Sequence, residues 1–350
     1  MIVKLSLGEL ERARLVLRGG SVLDWHRLDV GSLDECLAIL RANGFDLEDE
    51  GDRSYLKNMR LSAIDYLTRN FGFSFLPEIF NAPSAGDLML LAAGKDSLRR
   101  RQACVVLKVM HVLHHAEAME LKSRLNIAEH ELYHIVEDKA VRVIEAMKER
   151  GYPIVDFQCS RKTRDSIITK LLHKKQGNRA LLYDMIRFRI VTATAEEIVP
   201  AIAYLSIHLF PFHYTVPGES RNSIFDFRDF IRRHPRISRM IPEFQVDLMY
   251  ENEMRGPSNP ETNDTFRTAS FVVDIPIRLD DRQLELWAPG ARLSSRVVHV
   301  LAEFQIVDEA SHAGNEQGEA SHVRYKDRRL SRVKERLLRG RMVWNDKAGE

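Results

Sequence analysis

The chain has 350 residues, 44% apolar and 29% charged, with a formal net charge of +2. That length suggests two domains with ample chain to bury a core, and the composition is that of an ordinary globular protein. The near-neutral charge excludes an argument for general nucleic-acid binding, and no apolar run reaches the ~18 residues of a membrane span.

The opening stretch, MIVKLSLGELERARL, lacks an apolar core and cleavage site, so no secretory signal is expected. Cys36, Cys104 and Cys159 form no CxxC pair or disulfide framework, which fits a reducing cytoplasm. Residues 1–93 read as a mainly helical region of unknown role, punctuated at Gly19-Gly20, Asn43-Gly44, Gly51 and Asn81-Ala82-Pro83. From Asp96 to about Arg150 apolar residues recur at helical spacing, among them Val105, Val109, Leu113, Ile135, Val141 and Ile144. Gly151-Tyr152-Pro153 ends that pattern.

Two signals in this helical stretch compete for chemistry. His130-Glu131-Leu132-Tyr133-His134 matches HExxH, but no third ligand motif follows, so a zinc metallopeptidase is only a remote alternative. His111 and His115, with His114 and Glu117 nearby, have ligand-pair spacing, yet a charged, solvated helix face is the expectation.

Beyond residue 150 helices and strands alternate. The pattern predicts a helix over 165–173, a strand over 186–192, a helix over 196–209 and a short strand over 212–216. An extra strand and loop are expected near 237–262, followed by strong strands over 271–279 and 297–307. This is α+β or α/β organisation with a mixed sheet. Between Arg161 and Arg189 nine Lys/Arg face only Asp165 and Asp184, and a second basic run spans 324–341. Such runs read by default as solvated helix faces, and the second could also contact RNA phosphates.

The most informative stretch is AEFQIVDEASHAGNEQGEASHVRYK, in which Glu303 and Gln305 share one face of a strand. His312, Glu316, Gly318, His322, Tyr325 and Lys326 follow in step on what reads as a helix packing back over it. Upstream, Lys162, Ser166 and Lys170 form a basic helix start, where Ser166 and Lys170 share a helix face. A helix N-terminus favours anions, so this start is a phosphate-site candidate as well as a solvated face. Asp184 precedes the apolar strand that carries Arg187 and Arg189; it is a Mg²⁺ candidate or a turn-capping Asp.

These motifs, in this order, resemble the RelA/SpoT-type alarmone synthetases, a nucleotidyltransferase-superfamily family that moves pyrophosphate from ATP to a guanine nucleotide. The resemblance covers roughly 150–330, within a synthetase domain at 94–345. It implies an α+β fold: a mixed-sheet, nucleotidyltransferase-like synthetase domain flanked by helices. It also implies ATP contacts from Arg161, Lys162, Ser166, Lys170 and Arg189, with Mg²⁺ held by catalytic Asp184 and Glu303. Glu303 would also help deprotonate the attacking 3′-hydroxyl. The acceptor, GDP or GTP, would meet Arg228, Phe266 as a stacking face, and Gln305; a tRNA 3′ end is an alternative acceptor. A homo-oligomer is left open.

The chain departs from the family pattern at Ser160 (family Arg), Arg187 (family Gly), Thr265 (family Gly) and Ser270 (family His). Arg161 or Arg164 could stand in for the missing Arg. No hydrolase metal set is visible, so the resemblance implies a synthetase-only member. A degenerate nucleotide-binding regulator of the same fold is the other reading.

Overall fold

The computed structural model describes residues 5–19, 25, 30–174, 184–224, 230, 233, 266–290, 295–316, 330, 331, 333–335 and 337. The predicted insertion at 237–262 and most of the basic run at 324–341 lie outside the described residues.

Seven helices come first among the described residues: α1 (Leu7–Arg18), α2 (Leu33–Ala42), α3 (Glu50–Phe71), α4 (Pro77–Phe80), α5 (Ala85–Ala93), α6 (Ser97–Arg124) and α7 (Glu129–Glu149). Five of the seven starts carry side-chain caps, those of α4 and α7 being the exceptions. Ser6 and Glu9 close a capping box on α1, and Ser32, Asp49, Ser84 and Asp96 each accept from a first-turn N–H. After α7 come β1 (Ile154–Arg161), α8 (Arg164–Lys174), β2 (Ile186–Thr192), α9 (Ile198–His208), β3 (Arg221–Asn222) and β4 (Ala269–Arg278). The described order ends with α10 (Asp281–Trp287), β5 (Val297–Asp308) and α11 (Glu309–Glu316).

The five strands form one mixed sheet in the order β1-β2-β5-β4-β3, bearing out the α+β expectation. Only β2 and β5 run parallel; the other neighbours are antiparallel. Strand β2 spans the predicted residues, β4 starts two residues before its prediction and stops one short of it, and β5 runs one residue longer. The segment 212–216 is not a strand. It is a 3₁₀ turn at Phe212–Tyr214 followed by a single bridge from Thr215 to Val273. Pro211 fixes its own φ just ahead of the turn, and Phe212, His213 and Tyr214 are all buried, so each side chain faces protein and none alternates outward.

Alternation along the strands separates two faces. Phe188, Phe304 and Phe271 face one another across β2, β5 and β4, and Phe210 of the loop after α9 packs on the Phe271 and Phe304 rings. The other face carries two polar rows where β1, β2 and β5 meet. One row runs Ser160–Arg187–Glu303, and the next runs Gln158–Arg189–Gln305–Ser270–Arg221.

One continuous apolar cluster extends from Leu10 of α1 to Phe304 of β5, so the N-terminal helices and the sheet share a core. Across that junction Arg278 of β4 pairs with Asp49 and Asp52. The seam between α6 and the sheet is rich in histidine. His111 and His114 are buried, contrary to the solvated face expected for this stretch, and His213 and His299 are buried beside them. The cause is packing: α6 lies against β5 and turns these rings toward the sheet. His115, at the rim, pairs with Asp274 at 2.8 Å and stacks on His299 at 5.1 Å.

In this seam both ring nitrogens of His299, Nδ1 of His111, Nε2 of His114, Nδ1 of His213 and the Tyr214 hydroxyl have no hydrogen-bond partner among the described residues. Burial pushes His111 and His114 down to about 3, aided by neighbouring histidines, and holds His213 and His299 well below the ordinary value. The seam is therefore a neutral, aromatic layer. No described helix is long and apolar enough to cross a membrane.

Candidate active site

The site is built on the polar face, where β2 and β5 run side by side. Their parallel register sets Arg187 opposite Glu303 and Arg189 opposite Gln305. Asp184 stands two residues ahead of β2, and the β1 ladder continues past Arg161 through the Lys162 N–H, which donates to Met185 O at 3.0 Å. That continuation brings Lys162 to Asp184 Oδ2 at 2.5 Å.

From the other side, Lys170 Nζ meets Asp184 Oδ1, also at 2.5 Å. Lys170 lies on α8, whose start is capped by Thr163: its Oγ1 accepts the Ser166 N–H at 3.3 Å and donates to the Ser166 hydroxyl at 3.0 Å. Ser166 thus sits in the first turn of α8, tied to the cap. Burial alone would raise the Asp184 carboxyl, but Lys170 and Lys162 together outweigh that and hold it well below the usual carboxylate range. Asp184 is a stable anion.

Glu303 is equally engaged. Its Oε2 accepts from Arg187 Nε at 2.8 Å, and its Oε1 accepts from Gln305 Nε2 at 3.0 Å. Arg187 also reaches Asp184 Oδ2 at 3.7 Å, so one guanidinium links the two carboxylates. Arg189, one step along the face, pairs with Glu316 of α11 at 3.3 Å. Asp184, Glu303, Lys162 and Lys170, with Arg187, form one charged cluster, and Gln305 supports it.

Arg161 is not part of this cluster. It is one residue out of phase with Ser160 and Lys162, so alternation sends it to the opposite face. There its Nε donates to Glu137 Oε1 of α7 at 2.6 Å, and its guanidinium lies over the Tyr133 ring at 5.9 Å. It also meets His134 at 2.9 Å. That contact ties the second histidine of the HExxH stretch to Arg161, and no group of three metal-competent side chains occurs among the described residues.

On the acceptor side, Phe266 lies three residues ahead of β4, whose first residue faces Ile306. The start of β4 is about 10 Å along the strand from the level of Glu303, and Phe266 lies farther out still. Arg228 lies outside the described residues, as do Gly318, His322, Tyr325 and Lys326. Sequence reasoning missed Asn315. Its side chain accepts from the Arg267 N–H at 3.1 Å and donates to Arg267 O at 2.8 Å, clamping α11 to the chain beside Phe266. A buried Asn on an otherwise polar helix carries no period that would mark it.

No family model matches the chain, and no curated protein matches its sequence. Solved structures do. Small alarmone synthetase 2 from Bacillus subtilis is 16% identical, with 62% of this chain and 97% of that chain covered and a TM-score of 0.32. Small alarmone synthetase 1 from the same organism, bound to its product pppGpp, is 17% identical over 59% of this chain and 90% of its own, with a TM-score of 0.32. A GTP pyrophosphokinase family protein from Streptococcus pneumoniae is 13% identical over 60% and 90% respectively, with a TM-score of 0.29. At such values reaction and substrate have to follow from this chain's own side chains.

Proposed function

We propose that this chain is a Mg²⁺-dependent nucleotide pyrophosphokinase of the RelA/SpoT-like type, transferring pyrophosphate from ATP to the 3′-hydroxyl of GDP or GTP in the cytoplasm. The observation that carries the reading is the Asp184–Glu303 pair on the polar face of the sheet, with Lys162, Lys170 and Arg187 in contact. Phosphoryl chemistry asks mainly for positioning and charge stabilisation, and this cluster supplies both signs of charge in one place.

The donor set suits a hard cation: two carboxylates, with no nitrogen or sulfur ligand among the described partners. Asp184 and Glu303 would hold Mg²⁺, which when bound neutralises phosphate charge and orients the polyphosphate. Lys162 and Lys170 exchange Asp184 for phosphate oxygens, and Ser166 offers the first turn of α8 to the same anion. Arg189 turns from Glu316 to ATP. Phe266 stacks the acceptor base, and Arg228 binds its phosphates.

In the transfer, Glu303 takes the proton of the acceptor 3′-hydroxyl, and Gln305 keeps that carboxylate oriented. The freed oxygen bonds to the β-phosphorus of ATP. The bond from that phosphorus to the oxygen bridging the α-phosphate breaks, and AMP leaves with the electron pair.

The test is incubation of the protein with γ-labelled ATP, Mg²⁺ and GDP, GTP or bulk tRNA in turn, beside Glu303→Gln. Label on GDP or GTP that vanishes in the variant supports the reading. Label on tRNA alone replaces the acceptor. ATP binding without transfer to any acceptor overturns the enzymatic reading in favour of a nucleotide-binding regulator.

A further inference from the structure

Arg187 joins both carboxylates of the cluster. Parallel pairing puts it directly across from Glu303. Its Nε lies 2.8 Å from Glu303 Oε2 and its terminal nitrogen 3.7 Å from Asp184 Oδ2. Arginine is always charged, and its planar fork matches carboxylates.

The charges decide what the contact does. Among the described residues Asp184 meets Lys162, Lys170 and Arg187, and Glu303 meets Arg187, all of them half-buried or better. A free divalent cation therefore meets carboxylates whose charge is already countered. It also needs carboxylate oxygens that Lys162, Lys170, Arg187 and Gln305 already contact. An anionic polyphosphate reverses the balance, because it gives the three cations another partner.

We propose that Arg187 is a tethered cation that closes the Asp184–Glu303 pair to divalent metal until a nucleotide polyphosphate binds. The proposal rests on the reading of this pair as the metal-holding site of the transferase. Metal therefore enters with or after the nucleotide, and Arg187 acts as a positioning residue. Removing its charge opens the pair; retaining charge in another shape keeps it closed.

The experiment is titration of the full chain with Mn²⁺, following free ion by electron paramagnetic resonance, without nucleotide and with a non-hydrolysable ATP analogue. The variants are Arg187→Gln, Arg187→Lys, Asp184→Asn and the double variant Arg187→Gln/Asp184→Asn. Without nucleotide, Arg187→Gln is expected to bind Mn²⁺ at least about tenfold more tightly than the wild type. Arg187→Lys should stay near wild type, and the double variant should lose the gain. Equal nucleotide-free affinity in the wild type and Arg187→Gln overturns the gate, provided the nucleotide-loaded wild type binds Mn²⁺ at Asp184. If no protein binds Mn²⁺ above the Asp184→Asn background with nucleotide present, the transferase reading falls and the gate with it.

Discussion

The charged cluster on the polar face of the sheet and the histidine seam farther along the same face both gather titratable side chains, but they solve the cost of burial in opposite ways. On the polar face Asp184, Glu303, Lys162, Lys170, Arg187 and Arg189 each meet a counter-charge, and the two lysines keep Asp184 ionised against its burial. In the seam burial keeps His111, His114, His213 and His299 neutral, and the carboxylates nearest them among the described residues, Glu117 and Asp274, stand at the rim. Lys122 lies close as well, donating to His299 O, and adds to the penalty for charging that ring. On the proposed function the first region exchanges its ion partners for a ligand, whereas the second packs. Charge density alone therefore does not mark function: partner exchange does.

The largest expected effect is at the polar face. Asp184→Asn should cut transfer by about 10³-fold while the protein still folds, read by initial rates beside a thermal melt. A variant that keeps near-normal rates would remove the carboxylate pair from the chemistry. Next comes the seam, which responds to acid. His111 and His114 have folded values near 3 against about 6.5 when unfolded, so below 6.5 the unfolded chain takes up protons that the native chain refuses. Stability should fall as pH drops from 6.5 toward 3, by about 1.4 kcal/mol per pH unit for each such histidine. Asp184 contributes in a separate window, its share being lost only as pH falls below 3.8. Urea midpoints that stay level between pH 7.5 and 5 would show that the seam is not held neutral.

A smaller effect sharpens the same contrast. His299 uses neither ring nitrogen, so His299→Leu should cost less than about 1.5 kcal/mol at pH 7.5 and make the acid decline shallower. The smallest effect concerns Arg161. Arg161→Ala should leave the KM for ATP within about twofold and lower stability by about 1 kcal/mol, whereas Lys170→Met should raise that KM about tenfold or more. A large KM change in Arg161→Ala would place that side chain on the nucleotide face after all.

The strands of the site were legible because β-branched and alternating residues leave few other options. Ile186–Thr192 and Val297–Asp308 follow their apolar pattern almost residue for residue. What alternation could have told about Arg161 was overlooked: Ser160 and Lys162 share one face, and the residue between them cannot. The histidines of α6 were misread for another reason. A histidine fits a wet face or a neutral buried seam equally well, and only the sheet packed against α6 decides. The role of Arg187 likewise needed the β2–β5 register, which no local pattern contains.

That register has a consequence for how the chain is made. Arg187 and Glu303 lie 116 residues apart, so a ribosome needs on the order of ten seconds to deliver the second after the first. Lys162 and Lys170, only 22 and 14 residues from Asp184, are present before then and can already neutralise it. During that interval β1 covers one edge of β2, and the other waits with its backbone unpaired. The local half of the site is therefore built first, and its closure by β5 is among the latest and slowest contacts of folding.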